Sequence, residues 1–459
     1  MNLPLFQRII KDFQIRSLPS LTQRDLKLSF IKDMSLAIVG ARRGGKTYRT
    51  FQFIHDMMRE GVRKENFCRI QFNDHRLRSI TIDHLHMIDE AFYSLYPAKQ
   101  MKEVVYFIFD EIHRITGWED YILYLLENPL HRILLTGSTS KLLKGEIASA
   151  LRGKNFSVGL FPFSFREFIR HYHVEEDTIS SQGQSRLRKM LQKYLDQGGF
   201  PGLLDLEAYL QIDLLQSYWD TMVLRDIIEA HPDDNINITS FTHFSQALLS
   251  RVSCPMTVRK IMINMEYAGL SFSPETLYRY LRYLEDAFML YSIPIYSKSE
   301  KIRNRNYRKV YAIDWGLADA IAPAEGVDIT RKFENMVFIE LLRRGYQVSY
   351  YVTKQKYEID FIAINKTAQE KAKQLYQVCY QFSDPQVRNR ELRGILKTAS
   401  FLKIQDIFVI TFNEEETIKM NGFIVNVLPA WKWLLLIESD LNKASSLITG
   451  YLPGTNGDA

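Results

Sequence analysis

Gly40-Ala41-Arg42-Arg43-Gly44-Gly45-Lys46-Thr47 satisfies the pattern GxxxxGK[ST] at every position, and it constrains the fold more than any other stretch of the chain. The apolar run Met34 to Val39 precedes it, and a helix-compatible run, Tyr48 to Glu60, follows. Strand, glycine loop and helix is the context such a loop requires. The glycines let successive backbone N–H groups turn inward at a helix N-terminus, where they cradle phosphate oxygens. The expected phosphate site therefore comprises Gly40, Ala41, Arg42, Arg43, Gly44, Gly45, Lys46, Thr47 and Tyr48. Lys46 is placed to reach the β- and γ-phosphates of ATP, a catalytic role, and the Thr47 hydroxyl to ligate Mg²⁺.

A second motif stands at a compatible distance. Val104 to Phe109 is apolar throughout and ends in Asp110-Glu111, the form of a Walker B strand. A run apolar at every position reads as a parallel strand buried on both faces. Asp110 then lies at the strand's C-terminal end, where open α/β sheets bind ligands, and is the second candidate metal residue. Glu111 is placed to orient or deprotonate the attacking water. A further strand, Arg132 to Leu135, leads into Thr136-Gly137-Ser138. Either Thr136 or Ser138 is a candidate γ-phosphate sensor, and the residues leave that choice open.

At 459 residues the chain is long enough for several domains. Its hydrophobic content of 46% and charged content of 24% are ordinary globular values. A net charge of +6 permits a polyanionic partner without demanding one. Cys68, Cys254 and Cys379 are scattered and odd in number, which fits a reducing compartment and gives no zinc or disulfide pattern. Met1 to Arg16 has Leu5, Ile9, Ile10 and Phe13 on one helical face and lacks a signal-peptide core. No apolar run approaches the roughly 18 residues that span a bilayer. The expectation is a cytoplasmic protein with no membrane partner.

Strands and helices alternate up to about residue 175, with a strand at Asn66 to Phe72 joining those above. Leu187 to Ala230 is helical, broken at Gly198-Gly199-Phe200-Pro201-Gly202, as a lid on the nucleotide domain would be. Thr257 to Ala268 and Pro274 to Glu285 read as a helix-turn-helix, the second helix capped by Ser273. Strand material follows at Ala287 to Tyr296. Next come the cations Lys298, Lys301, Arg303, Arg305, Arg308 and Lys309, then a returning strand at Val310 to Asp314. Helix-turn-helix plus basic hairpin is a winged helix, and those six cations are candidate contacts to double-stranded DNA. Beyond Arg331 a helix, Phe333 to Arg343, precedes strands at Tyr346 to Thr353, Tyr357 to Ile364, Leu375 to Phe382, Ile404 to Phe412 and Phe423 to Leu428.

These motifs together resemble a known family, the bacterial and archaeal ATP-binding proteins that join an AAA-type ATPase to a C-terminal restriction-endonuclease-like domain. The signatures are GARRGGKT, FDEI at Phe109 to Ile112, LTGSTSKLL at Leu135 to Leu143 and EIASALRGK at Glu146 to Lys154. LFPFSFREFI at Leu160 to Ile169, GGFPGL at Gly198 to Leu203, FENMVFIEL at Phe333 to Leu341, YEID and QVCY complete the set. The resemblance covers nearly the whole chain. It implies an α/β architecture with a P-loop AAA+ ATPase core (1–178), a helical lid (179–234), a winged helix (235–318), a restriction-endonuclease-like α/β domain (319–440) and a flexible tail (441–459). Homo-oligomers and an arginine finger go with such proteins. Here the usual Gly-Arg step is Gly153-Lys154, so Arg152 is the candidate finger, with Lys154 as the alternative.

A nuclease of that class sets an Asp at one strand end and Glu-x-Lys on the next strand. Asp360 and Glu334 match, but Gln377-Val378-Cys379 stands where Glu-x-Lys belongs. Glutamine is a weaker ligand for a hard cation, and cysteine carries no positive charge. Lys354 and Lys356 lie nearby in sequence. Glu334, Asp360 and Gln377 are therefore expected to form a degenerate site, with binding rather than cleavage as its role. Three functions follow: an ATPase engaging DNA, a nucleotide-gated switch whose partner is another protein, or, as the second alternative, an ATP-regulated DNA nuclease.

Overall fold

The computed structural model describes residues 3–138, 150–267, 269–270, 272–305, 308–322, 326–365 and 372–436. The expected tail at 441–459 lies outside them, as do parts of the segments Leu135 to Leu143 and Glu146 to Lys154.

The first unit is a sheet of five parallel strands in the order β2-β3-β4-β1-β5. They are β1 (Ser35–Val39), β2 (Phe67–Gln71), β3 (Val105–Asp110), β4 (His131–Gly137) and β5 (Asn155–Gly159). Both faces of this sheet are buried. Ala37, Val39, Phe107, Phe109, Ile133 and Leu135 enter one core, while Leu36, Ile38, Ile108 and Leu134 enter another on the opposite side. That is why β1 and β3 are apolar at successive positions; each such large side chain, fully buried, contributes roughly 1.5–3 kcal/mol relative to exposure. The helices α1 (Leu3–Ile15), α2 (Lys46–Arg59), α3 (Met87–Leu95) and α4 (Trp118–Leu125) cover it. α1 buries Phe6, Ile9 and Ile10, a face turned slightly from the expected Leu5 to Phe13 stripe. β5 has no apolar run and was not expected from sequence.

The stretch expected to act as a lid divides in two. After α5 (Phe165–His171), α6 (Ser181–Gln197) packs Leu187, Leu191, Tyr194 and Leu195 into the core beneath the C-terminal sheet, not over the phosphate loop. α7 (Ala208–Met222) instead joins the core of the first unit through Leu215, Trp219 and Met222. The break between them is set by Gly198, whose φ of 79° suits glycine and whose Cβ would lie 2.2 Å from Asp314 Oδ1. The next residue, Gly199, donates its N–H to Asp314 Oδ2 at 2.7 Å. Burial pushes the Asp314 carboxyl up to about 6 against the pull of these backbone donors.

Helices α8 (Ile238–Leu249), α9 (Val258–Tyr267) and α10 (Pro274–Asp286) follow. Ser273 caps α10 by accepting from Thr276 N–H. They accompany a three-stranded antiparallel sheet in the order β6-β8-β7, made of β6 (Pro255–Met256), β7 (Leu290–Ile293) and β8 (Arg308–Ala312). The basic segment between β7 and β8 is not the expected open loop: Glu300–Arg305 forms a short helix, α11.

α12 (Trp315–Ile321) and α13 (Ile329–Arg343) lead into a six-stranded sheet in the order β13-β14-β12-β11-β10-β9. The strands β9 (Gln347–Val352), β10 (Glu358–Ile364) and β11 (Lys373–Cys379) form an antiparallel meander. α14 (Pro385–Leu402) then crosses over to β12 (Asp406–Thr411), which runs parallel to β11. β13 (Glu416–Met420), also not expected from sequence, pairs with β14 (Phe423–Pro429), and α15 (Ala430–Trp433) is the last described element.

Candidate nucleotide site

The phosphate loop joins β1 to α2 at the C-terminal edge of the first sheet. Gly40 is required by crowding, since a Cβ there would lie 2.2 Å from the Leu160 carbonyl oxygen. Arg24 braces the loop from outside: its guanidinium donates to Gly44 O at 2.9 Å and pairs with Glu167 at 3.0 Å. Lys46 is buried and donates to Gly40 O at 2.8 Å and Ala41 O at 2.9 Å, so its ammonium lies across the mouth of the loop. Burial lowers its pKa, opposed by Glu111, Asp226 and Asp110.

Asp110 ends β3 beside the loop. Thr47 Oγ1 donates to its Oδ2 at 3.0 Å and Thr136 Oγ1 to its Oδ1 at 2.5 Å. A hydroxyl and a carboxylate in contact are the hard oxygen pair that Mg²⁺ takes when substrate phosphates and water complete its shell, so the donor set fits that ion. Glu111 follows with φ of 61°, a left-handed backbone that costs a non-glycine residue about 1–3 kcal/mol. Its N–H donates to Thr136 Oγ1 at 3.1 Å, and its carboxylate stands 3.4 Å from His113 Nε2. Burial lowers the His113 pKa, with Glu111 opposing, which favours the neutral ring.

The two candidate sensors have different partners. Thr136 holds Asp110, whereas Ser138 donates to Asp226 Oδ1 at 2.9 Å. Arg42 is turned toward the same Asp226, Arg43 lies over the Tyr218 ring at 5.4 Å, and Tyr48 is exposed against the edge of Phe51. Arg152 is exposed in the turn before β5, whose start is tied to the start of β1 by the bond from Ser35 N–H to Lys154 O. It is thus at the opposite end of the sheet from the loop, about 16 Å of strand away. As an arginine finger for its own chain it is ruled out by that distance.

Sequence reasoning missed Arg69 and Asp226. Arg69 is buried in β2, and its guanidinium meets Asp110 Oδ2 at 2.8 Å while lying over Phe51 at 4.5 Å. An arginine inside an otherwise apolar strand requires a buried counter-charge, and the carboxylate at the end of the adjacent strand was the available one. Asp226 carried no such signal, since Arg225 stands beside it in the segment Val223 to Ile228.

The second candidate site lies in the C-terminal sheet, where α13 brings Glu334 and β10 brings Asp360 to one cleft of about 820 Å³, lined also by Gln377 and Cys379. Lys309, expected among the surface cations, belongs here instead. It is 1% exposed, and its Nζ sits 3.0 Å from Glu334, 2.5 Å from Glu358 and 3.3 Å from Asp360. Adjacent residues of a strand face opposite ways, so Arg308 is exposed and Lys309 turns inward. Tyr311 also donates to Glu334, at 2.7 Å. Gln377 Oε1 is buried and has no hydrogen-bond partner among the described residues. Of the other basic residues, Lys298 and Lys301 are exposed, and Arg303 donates to Ser297 O at 2.8 Å. The Arg305 side chain lies outside what is described.

Residues 32–169 match the family described as AAA domain, and residues 188–328 match a domain of unknown function (DUF8612). An uncharacterized protein of Methanocaldococcus jannaschii is 30% identical over 94% of this chain and 95% of its own length. An uncharacterized protein of Haemophilus influenzae is 30% identical over 88% of this chain and 94% of its own. Among solved structures, a Walker-type ATPase of Pyrococcus abyssi overlaps 63% of this chain and 91% of its own with 14% identity and a TM-score of 0.41. The chain belongs to the family of these uncharacterized archaeal and bacterial proteins, and it carries an AAA domain at its phosphate loop.

Proposed function

We propose that the protein is a Mg²⁺-dependent P-loop ATPase that couples nucleotide state to DNA binding. The observation that carries the ATPase reading is the convergence of Lys46, Thr47, Asp110 and Glu111 at the C-terminal edge of one parallel sheet. Bound Mg²⁺ would supply charge neutralisation at the phosphates, held by Thr47 and Asp110. Lys46 exchanges its loop carbonyls for phosphate oxygens, and Glu111 orients water for attack. The free cysteines and the absence, among the described residues, of any helix long and apolar enough to cross a membrane accord with a cytoplasmic site of action.

The DNA part of the reading rests on α8 to α10 with the β6-β8-β7 sheet, an arrangement that supports a winged helix, and on the exposed Lys298, Lys301 and Arg308. Replacing those three by Ala is expected to weaken duplex binding and to flatten its salt dependence, by roughly one unit of log–log slope for each phosphate no longer neutralised. A filter-binding titration measures it; identical slopes for wild type and variant exclude the segment as the DNA-binding surface. The protein-switch reading is favoured by one observation, that Lys309 and Arg303 are committed inside the chain, which thins the basic surface.

The helix, antiparallel meander, crossover helix and parallel strand from α13 to β12 support a restriction-endonuclease-like fold. Its site is degenerate in this reading, because Lys309 occupies the space between Glu334 and Asp360 and Gln377 replaces a carboxylate. Supercoiled plasmid incubated with the protein, ATP and Mg²⁺ or Mn²⁺ is therefore expected to remain uncut. Metal-dependent nicking that vanishes in Asp360→Asn counts against degeneracy.

A further inference from the structure

α7 does not end cleanly at Met222. It runs on into a wider π-helical turn, Val223–Ile228, closed by Glu229 N–H donating to Leu224 O five residues back at 2.9 Å. Such turns are rare and concentrate at functional sites. This one carries Asp226, which is 5% exposed and points at the phosphate loop.

Three donations converge on the Asp226 carboxylate. Arg42 Nε reaches Oδ2 at 3.0 Å, an Arg42 terminal nitrogen reaches Oδ1 at 2.6 Å, and Ser138 Oγ reaches Oδ1 at 2.9 Å. Arg42 belongs to the phosphate loop, and Ser138 is a candidate γ-phosphate sensor just past the end of β4. Both donors suit a phosphate oxygen, and in this structure both are spent on a carboxylate contributed by the segment that follows the AAA domain. The ATPase chemistry proposed above gives Asp226 no part: the water-orienting and metal-holding carboxylates are Glu111 and Asp110.

The geometry points to Asp226 as a γ-phosphate surrogate, an internal anion that fastens the Val223–Ile228 turn to the nucleotide site until ATP displaces it. The inference rests on the nucleotide reading and adds its regulation. A γ-phosphate carries more charge and more acceptor oxygens than a carboxylate, so it competes for Arg42 and Ser138 and repels Asp226 at the same time. The differential interaction that a ligand-driven change requires is thereby identified. The released turn is continuous with α7, which packs against α12, and α12 follows directly on β8 and its basic neighbours. Nucleotide state thus has a covalent and packed route to the candidate DNA surface.

The test uses the full chain. Asp226→Asn keeps the shape and removes the charge, and it is expected to bind ATP with Mg²⁺ about tenfold more tightly than wild type by calorimetric titration. Hydrogen exchange on the wild type supplies a second measurement that does not depend on the variant's folding. ATP is expected to accelerate exchange of the Val223–Glu229 amides, whereas ADP leaves them near the nucleotide-free rate. Equal or weaker ATP binding by folded Asp226→Asn, exchange unchanged or slowed by ATP, or release by ADP as complete as by ATP overturns the inference. Absence of ATP binding in both proteins removes the nucleotide reading itself. Normal wild-type binding with an unchanged variant removes the surrogate role alone.

Discussion

Glu111→Gln is expected to bind ATP as tightly as wild type and to hydrolyse it roughly a hundredfold or more slowly, while Lys46→Ala loses binding altogether. The separation follows from where the two side chains stand. Lys46 lies across the loop with its ammonium on Gly40 O and Ala41 O, so in the proposed mechanism removing it deletes a charge that the phosphates meet in bound and reacting states alike. Glu111 is fixed by its own left-handed backbone and by the bond from its N–H to Thr136, next to the loop but outside it. Glutamine preserves the shape and hydrogen-bonding reach there and loses the basicity. Equilibrium nucleotide binding and steady-state phosphate release separate the two effects. Undiminished turnover in Glu111→Gln would remove that residue from the mechanism, and wild-type binding by Lys46→Ala would remove the loop.

The second large effect is one of stability. Lys309→Met leaves Glu334, Glu358 and Asp360 facing one another without their cation, and a buried ion pair broken on one side costs about 3–5 kcal/mol. Burial alone would lower the Lys309 ammonium, yet Glu334, Tyr311, Asp360 and Glu358 together raise it well above its usual value. Even with that cation in place, burial pushes Glu334 up to about 7. Burial raises the Asp360 carboxyl as well, and in the variant Glu334 and Asp360 rise further. The folded state then holds more protons than the unfolded one from the ordinary carboxyl range up past neutrality. The variant's stability therefore falls as pH rises through that window, and its deficit narrows on acidification. Denaturant midpoints at about pH 5 and about pH 8 measure this. A deficit of the same size at both, or none at the higher pH, would show that the cluster does not depend on Lys309.

Much of the first unit was legible because it is local. The phosphate loop needs glycines at fixed offsets, and its flanking strand and helix are contiguous with it. The runs at β1 and β3 are apolar at successive positions because their sheet is covered on both faces. Ser273 and Pro274 mark the start of α10 by capping chemistry that acts within one turn. Among the described strands, three left too weak a pattern to be read. β5 has alternating polar residues and no apolar run, β6 is two residues long, and β13 is a polar edge strand beside β14.

Which charged groups meet was settled only in three dimensions. Lys309 reads in sequence as one more cation of a basic hairpin. The packing of β8 against α13 and β10 turns it from solvent toward carboxylates at 334, 358 and 360. Arg42 reads as a loop residue free to meet phosphate, and its partner Asp226 lies 184 residues further along. Arg69 and Asp110 are on neighbouring strands that pair only after the sheet has formed. The glycine loop between β1 and α2 could be read from the chain alone, because hydrogen-bond geometry and backbone freedom act over a few residues. The pairing of buried charges was left to the fold, because Coulombic attraction depends on distance in space, and no local pattern encodes which distant element will supply the opposite sign.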